Sequence, residues 1–242
     1  MRYCLQRYIL GLFFLMMGMA AAAPAFAGER EALLKENFHD LKNWSPLFFP
    51  KIPRHTTYTI VTNGADPYLK AESEASASAI VYKNTFSVYE YPRLTWKWKV
   101  DSVYKLASQR VKTGDDYPLR VYILFKYDPQ KAGVLDKILY ESLRLIYGEY
   151  PPHSSLNYAW ASKPEKEAIF PSPYTDKLKM VLLEAGTAKL GQWVVEDVNI
   201  LEDYRKSFGK NPPAIASLAI MNDSDNTGGK ATSNIGFIEV YK

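Results

Sequence analysis

The sequence predicts a mainly β protein, an antiparallel β-sandwich with one or two peripheral helices. Three observations predict it. About nine segments alternate apolar and polar residues at the strand period. Aromatics reach 14%, with 18 Tyr, 11 Phe and 5 Trp, a surplus that suits pleated surfaces. Only two segments carry helical spacing. At 47% hydrophobic and 23% charged residues, the composition excludes a disordered or fibrous chain. The formal charge of +4 is too small for bulk binding of nucleic acid.

The first 27 residues read as a signal peptide. Arg2 and Arg7 precede an apolar run from Ile9 to Ala22, and Ala25-Phe26-Ala27 offers an A-x-A cleavage site. Cleavage after Ala27 leaves 28–242 as a single domain addressed to the periplasm or the exterior. The one cysteine, Cys4, lies in the removed segment. The remaining chain therefore has no disulfide, no thiolate metal site and no cysteine nucleophile. No second apolar stretch approaches the length of a membrane span.

Along the remaining chain, Thr56 to Thr62 is β-branched and ends at the turn dipeptide Asn63-Gly64. Tyr68 to Ser73 and Ser76 to Tyr82 follow as strands. In Leu94 to Val100, Leu94, Trp96, Trp98 and Val100 share one face, the expected core, and Thr95, Lys97 and Lys99 the other. Arg120 to Lys126 divides in the same way, with Val121, Ile123 and Phe125 opposite Arg120, Tyr122 and Lys126. Further strands are expected at Leu156 to Ala161, Leu178 to Glu184, Ile215 to Met221 and Ile235 to Tyr241. From Val134 to Ile146, the stripe of Leu135, Ile138, Leu139, Ser142 and Ile146 predicts a helix that packs across a sheet opening. Asn199 to Phe208 predicts a short helix stopped by Gly209.

Several runs resemble the DUF3047 family of exported bacterial proteins. They are Leu69-Lys70-Ala71-Glu72-Ser73 with Ser76-Ala77-Ser78, Pro92 to Val100, Gly114-Asp115-Asp116 with Arg120-Val121-Tyr122, and Asn157 to Trp160. The closing runs, Glu202 to Gly209 with Pro212-Pro213 and Asn222 to Gly228, carry it furthest. The resemblance implies a jelly-roll sandwich like galactose-binding and carbohydrate-binding modules, and it implies no activity. The 132–148 helical segment departs from the family's usual loop.

Asp223-Ser224-Asp225-Asn226-Thr227-Gly228 sets oxygen donors at positions 1, 3 and 5 with Gly at 6, as a calcium loop does. Asn234 stands where an EF-hand needs a bidentate Glu, so that motif fails. Structural calcium held by Asp223, Asp225 and Thr227 in another geometry stands beside the plainer reading, a turn of self-bonding Asp and Asn. Asp115 and Asp116 precede the Arg120 strand, where they can hold a cation or orient the guanidinium. If the Lys97/Lys99 and Arg120/Tyr122 strands are neighbours, one face is basic and aromatic, suited to a hydroxyl-rich or carboxylated ligand. A solvated face is the alternative. Tyr158 and Trp160 share a face with Leu156, as a sugar platform or as core.

Catalytic signals are thin. His39, His55 and His153 have no metal spacing, and no G-x-S-x-G, P-loop or G-x-G-x-x-G occurs. Carboxylate pairs such as Glu184 with Glu196, or Asp115 with Asp223, are the candidates for hydrolysis. The expected function is a non-catalytic binding module for a carbohydrate or similar cell-envelope ligand. Two alternatives remain: a polysaccharide hydrolase or lyase on the same sandwich, and an envelope protein-interaction module using the 132–148 segment.

Overall fold

The alternation of Leu94 to Val100 puts Leu94, Trp96, Trp98 and Val100 wholly in the interior. The computed structural model describes residues 31–242 apart from 63, 65, 148 and 149. The signal-peptide reading of 1–27, Asn63 of the expected turn and the side chain of Ile146 lie outside the described residues. In chain order the strands are β1 (Ala32–Glu36), β2 (Trp44–Leu47), β3 (Thr57–Val61), β4 (Tyr68–Glu74), β5 (Ala77–Tyr82), β6 (Phe86–Ser87), β7 (Arg93–Val100) and β8 (Leu119–Phe125). After helix α1 (Val134–Tyr147) come β9 (Ser154–Ala161), β10 (Ile169–Ser172), β11 (Thr175–Ala185) and β12 (Val194–Asn199). Helix α2 (Ile200–Phe208), β13 (Ile215–Asp223) and β14 (Lys230–Tyr241) complete the chain.

These strands form two sheets. The six-stranded sheet runs β12-β7-β14-β4-β3, and β1 also pairs with β14. The eight-stranded sheet runs β10-β11-β9-β8-β13-β5-β2, with β6 on β13. Pairing is antiparallel throughout except between β9 and β11, which run parallel. The twelve residues of β14 bind β4 along their first half and β1 along their second, while β7 follows the other side. A bulge between Ile235 and Phe237 interrupts the β14–β7 register at Gly236.

The inner faces meet in an aromatic core. Trp96 and Trp98 are wholly buried, as their alternation predicts. Opposite them stand Tyr158 and Trp160, also wholly buried, with ring centroids 5.5 Å (Trp96–Tyr158) and 5.7 Å (Trp98–Trp160) apart. The sugar-platform expectation for Tyr158 and Trp160 is thereby corrected: both rings face the interior. The reason is position, because β9 is a central strand and all eight of its residues are buried. On its other face, Ala159 and Ala161 pack under Tyr117, Phe170 and Met180. Burying each such ring stabilises the fold by roughly 2–3 kcal/mol.

Helix α2 closes one end of the core. Asn199 caps it, its side chain accepting from the backbone N–H groups of Leu201 and Glu202, and Gly209 ends it at φ 67°. Tyr204 packs edge-on to Phe125 at 4.6 Å. Helix α1 forms where its spacing predicts, but it does not close a sheet opening. Leu135 is 84% exposed and Ile138 61%. The opposite face does the docking: Tyr140 stacks on Tyr127 at 3.8 Å and donates to the Pro152 and His153 carbonyls. No described helix is long and apolar enough to cross a membrane.

Candidate functional site

At the end of the sandwich where β13 hands the chain to β14, residues from distant parts of the sequence converge. Arg120, on the outer face of β8, is 3% exposed. Its Nε donates to Asp223 Oδ1 at 3.0 Å, and its Nη2 pairs with Asp223 Oδ2. Nη2 also reaches the Asp115 carbonyl at 3.3 Å, and Nη1 lies 3.6 Å from Asp115 Oδ2. The guanidinium carbon sits 4.6 Å from the Tyr117 ring centre and 5.9 Å from that of Tyr122. Such a bidentate, ring-flanked arginine is rigid.

Asp116 holds the adjoining loop. Its Oδ1 accepts from the backbone N–H of Asn226 at 3.2 Å and from Asn226 Nδ2 at 3.1 Å, and its Oδ2 from the N–H of Thr227 at 2.6 Å. One carboxylate oxygen from each of Asp116, Asp223 and Asp225 lies within 4.8 Å of the others. Burial raises the Asp115 pKa despite Arg120. Asp225 is raised by burial and then by the charge of Asp116. Asp115, Asp116, Arg120, Asp223, Asp225 and Thr227 thus form one cluster, as the sequence suggested in pieces.

The expected basic, aromatic face does not form there. β7 and β8 belong to different sheets, so Lys97 and Lys99 are not neighbours of Arg120. Arg120 is buried in ion pairs, and Tyr122 packs with Ala77, Ala79 and Met221 beneath Phe49 and Ile52. The outer face of the larger sheet is neither a ligand platform nor a solvated surface at this point; loops cover it. Asp115 and Asp223, imagined as a hydrolytic pair, are both bound to Arg120 and buried away from any substrate.

An open aromatic cleft lies instead on the outer face of the six-stranded sheet. It has a volume of about 580 Å³ and is lined by Asn37, His39, Asp66, Pro67, Tyr68, Lys97, Trp193, Gly236 and Phe237. Trp193, just before β12, is 37% exposed, whereas the other four tryptophans are buried. Tyr68 meets its ring edge-on at 5.7 Å, and the ammonium groups of Lys97 and Lys99 lie 5.2 and 5.5 Å from the ring centre. Gly236 at the bulge supplies the floor. A Cβ there would stand 3.4 Å from Lys97 Cδ and 3.5 Å from Trp193 Cζ3, so a larger side chain would fill the space. Sequence reasoning missed this site. The available signal was Trp193, a lone tryptophan directly after the turn residues Gly191 and Gln192, together with the outward pair Lys97 and Lys99.

A second cavity, about 490 Å³, lies beside α1. In its wall, Tyr127 is already stacked on Tyr140, and Lys131 is paired with Asp128. A third feature is Glu196 on the edge strand β12. Its Oε1 accepts from Trp98 Nε1 at 3.2 Å. Burial, then the neighbouring charge of Glu184, pushes its carboxyl up to about 7, while Trp98 and Lys189 oppose the shift.

Comparison with known structures returns sandwich domains at low identity. The family 11 carbohydrate-binding module of a cellulosomal cellulase from Clostridium thermocellum superposes with a TM-score of 0.43 at 9% identity, covering 88% of this chain and 95% of that one. The carbohydrate recognition domain of Emp46p gives 0.39 at 9%, covering 88% and 94%. A cleaved adhesin domain of Lys-gingipain from Porphyromonas gingivalis gives 0.37 at 8%, covering 86% and 96%. No curated protein matches the chain in sequence. The model of the family described as "Protein of unknown function (DUF3047)" matches residues 42–239. That match spans most of the chain and the ordered run of motifs from Pro92 to Gly228, and the protein belongs to the DUF3047 family.

Proposed function

We propose that the protein is a non-catalytic binding module, acting in the periplasm or outside the cell, that takes a carbohydrate or similar cell-envelope ligand in the Trp193 cleft. The observation that carries this reading is Trp193 itself, a large ring left 37% exposed on a sheet face and fixed by Tyr68 and two lysines. Sugars present an apolar face and a hydroxyl edge. A tryptophan meets the first, and Asn37, His39, Asp66 and Lys97 around the cleft meet the second. The cleft volume falls in the range of small-molecule sites.

The test is retention of the purified protein on a panel of bacterial and plant polysaccharides, with Trp193→Ala as the variant. Retention on one class, lost in Trp193→Ala while the near-ultraviolet circular dichroism persists, supports the reading. Because the other four tryptophans are buried, ligand protection of tryptophan fluorescence from acrylamide reports on Trp193. Retention that survives the substitution, or no retention on any polysaccharide, refutes it.

A second reading, an envelope protein-interaction surface on 132–148, has one observation in its favour: the outward apolar face of α1, where Val134, Leu135 and Ile138 are 75%, 84% and 61% exposed. On that reading Ile138→Ser abolishes a partner pull-down and leaves polysaccharide retention unchanged.

A further inference from the structure

We propose that the Trp193 cleft takes an acidic sugar, with the Lys97 ammonium anchoring a single negative charge, a carboxylate or a sulfate ester. The inference rests on the polysaccharide reading of that cleft and adds the charge class of the ligand.

The sheet register gathers the cations. Lys70 on β4 and Lys99 on β7 both stand opposite Asn234 of β14, so Lys70, Lys97 and Lys99 share the outer face of the six-stranded sheet. Two of these lysines have acids of their own. Lys70 pairs with Glu72 at 2.8 Å and Lys99 with Asp101 at 3.5 Å, and Asp101 also accepts from Asn234 Nδ2 at 3.1 Å. Lys97 has none: it is half-buried in the cleft wall and makes no ion pair among the described residues. Its ammonium lies 5.2 Å from the centre of the Trp193 ring. An ammonium that has given up part of its hydration without gaining a counter-charge is compensated only in part by an aromatic ring. An anionic group on the ligand completes it.

The rest of the lining agrees. Asp66 also borders the cleft, but it is exposed on the loop before Pro67 and does not pair with Lys97. A hydrated loop carboxylate accepts sugar hydroxyls, and water screens its repulsion of a charge held at the strand. Asn37 and His39, both exposed, add further polar groups for hydroxyls. The stem of Lys97 and the edge of Trp193 converge over Gly236, so a sugar ring placed on the tryptophan brings a ring substituent to the ammonium. A lysine is a point charge that takes carboxylate and sulfate alike, whereas selective bidentate recognition of one acid group would call for arginine.

The purified protein is titrated with two matched pairs of polymers: polygalacturonate against its methyl ester, and a sulfated galactan against its desulfated form. At low ionic strength one acidic member should bind roughly 10–100-fold more tightly than its neutral partner, and the preference should shrink as salt is raised. The pair that shows the preference names the acid group. Lys97→Met keeps the stem, removes the charge and should bring that pair to within about threefold of each other; Lys97→Arg should keep the preference, and Trp193→Ala should abolish binding to both members. If Lys97→Met loses its near-ultraviolet circular dichroism, Lys97→Gln takes its place. Equal binding of acidic and neutral members, lost in Trp193→Ala, would overturn this inference and leave the polysaccharide reading standing. Retention on no polysaccharide at all, or binding that survives Trp193→Ala, would overturn both. A preference undiminished in a folded Lys97 variant would overturn the assignment of the anchor, and tighter binding of chitosan than of either acidic polymer would overturn the sign of the charge.

Discussion

Replacing Glu196 by Gln should stabilise the protein at alkaline pH and do little at acidic pH. The carboxyl rises from its ordinary 4.5 to about 7 on folding, because burial and Glu184 disfavour its charge. Between those values the native state binds more protons than the unfolded state, so stability falls as pH rises from about 4.5 to about 7 and is level outside that window. The full shift corresponds to about 3 kcal/mol. The carboxyl is partly open to solvent, and screening reduces the penalty to roughly 1–2 kcal/mol. Glutamine is isosteric, keeps an acceptor for Trp98 Nε1 and removes the charge. Thermal melts of parent and variant should therefore coincide near pH 4.5 and separate by roughly 3–6 °C at pH 8, the variant melting higher. An equal shift at both pH values, or a variant that melts lower at pH 8, would refute the assignment of a folding penalty to this carboxyl.

Two further outcomes follow from the geometry. Arg120→Met strands Asp223 and Asp115 without their cation and should cost about 3–5 kcal/mol at neutral pH; a urea midpoint that moves by less than about 1 kcal/mol in stability would show that the pair is not the anchor of this end. Gly114→Ala places a Cβ 2.6 Å from the backbone nitrogen of Ser108, so the backbone before Asp115 must move. The expected loss is roughly 1–3 kcal/mol by chemical denaturation, with no change in polysaccharide retention, and an unaltered midpoint would contradict it.

The strands that could be read from sequence are those with one wet and one dry face, or with rich β-branching. Leu94 to Val100 and Arg120 to Lys126 show their inner faces as plain alternation, and both inner faces are buried. Strands β1, β2, β6, β10 and β12 escaped notice. They are short, and β12 carries Glu196 and Asp197 on an edge, where pairing with β7 supplies the order that composition does not. Side-chain pattern tells which residues share a face, not what covers it. Pattern alone therefore leaves Arg120 open to solvent, does not decide between core and platform for Tyr158 and Trp160, and turns the α1 stripe inward, whereas Tyr140 holds the helix by its other side. The acidic cluster was half legible: the spacing in 223–228 and the Asp115-Asp116 pair each suggested oxygen ligands, yet only topology joins segments more than a hundred residues apart. The Trp193 cleft had the weakest signal, because one tryptophan has no periodicity.

The pairing of β1 with β14 bears on when this chain can fold. β14 lies between β4 and β7 and also carries the first strand, from Ala32 opposite Tyr241 to Glu36 opposite Ile238. Until residues 230–241 leave the ribosome, β4 and β7 have no partner between them, and β1 has none among the described strands. Such pairing between 32–36 and 238–241 is non-local and slow, so the six-stranded sheet assembles only once β14 has been made. A chain built this way keeps that sheet open until β14 is made, and deleting 230–241 should remove the centre of a sheet rather than trim its edge.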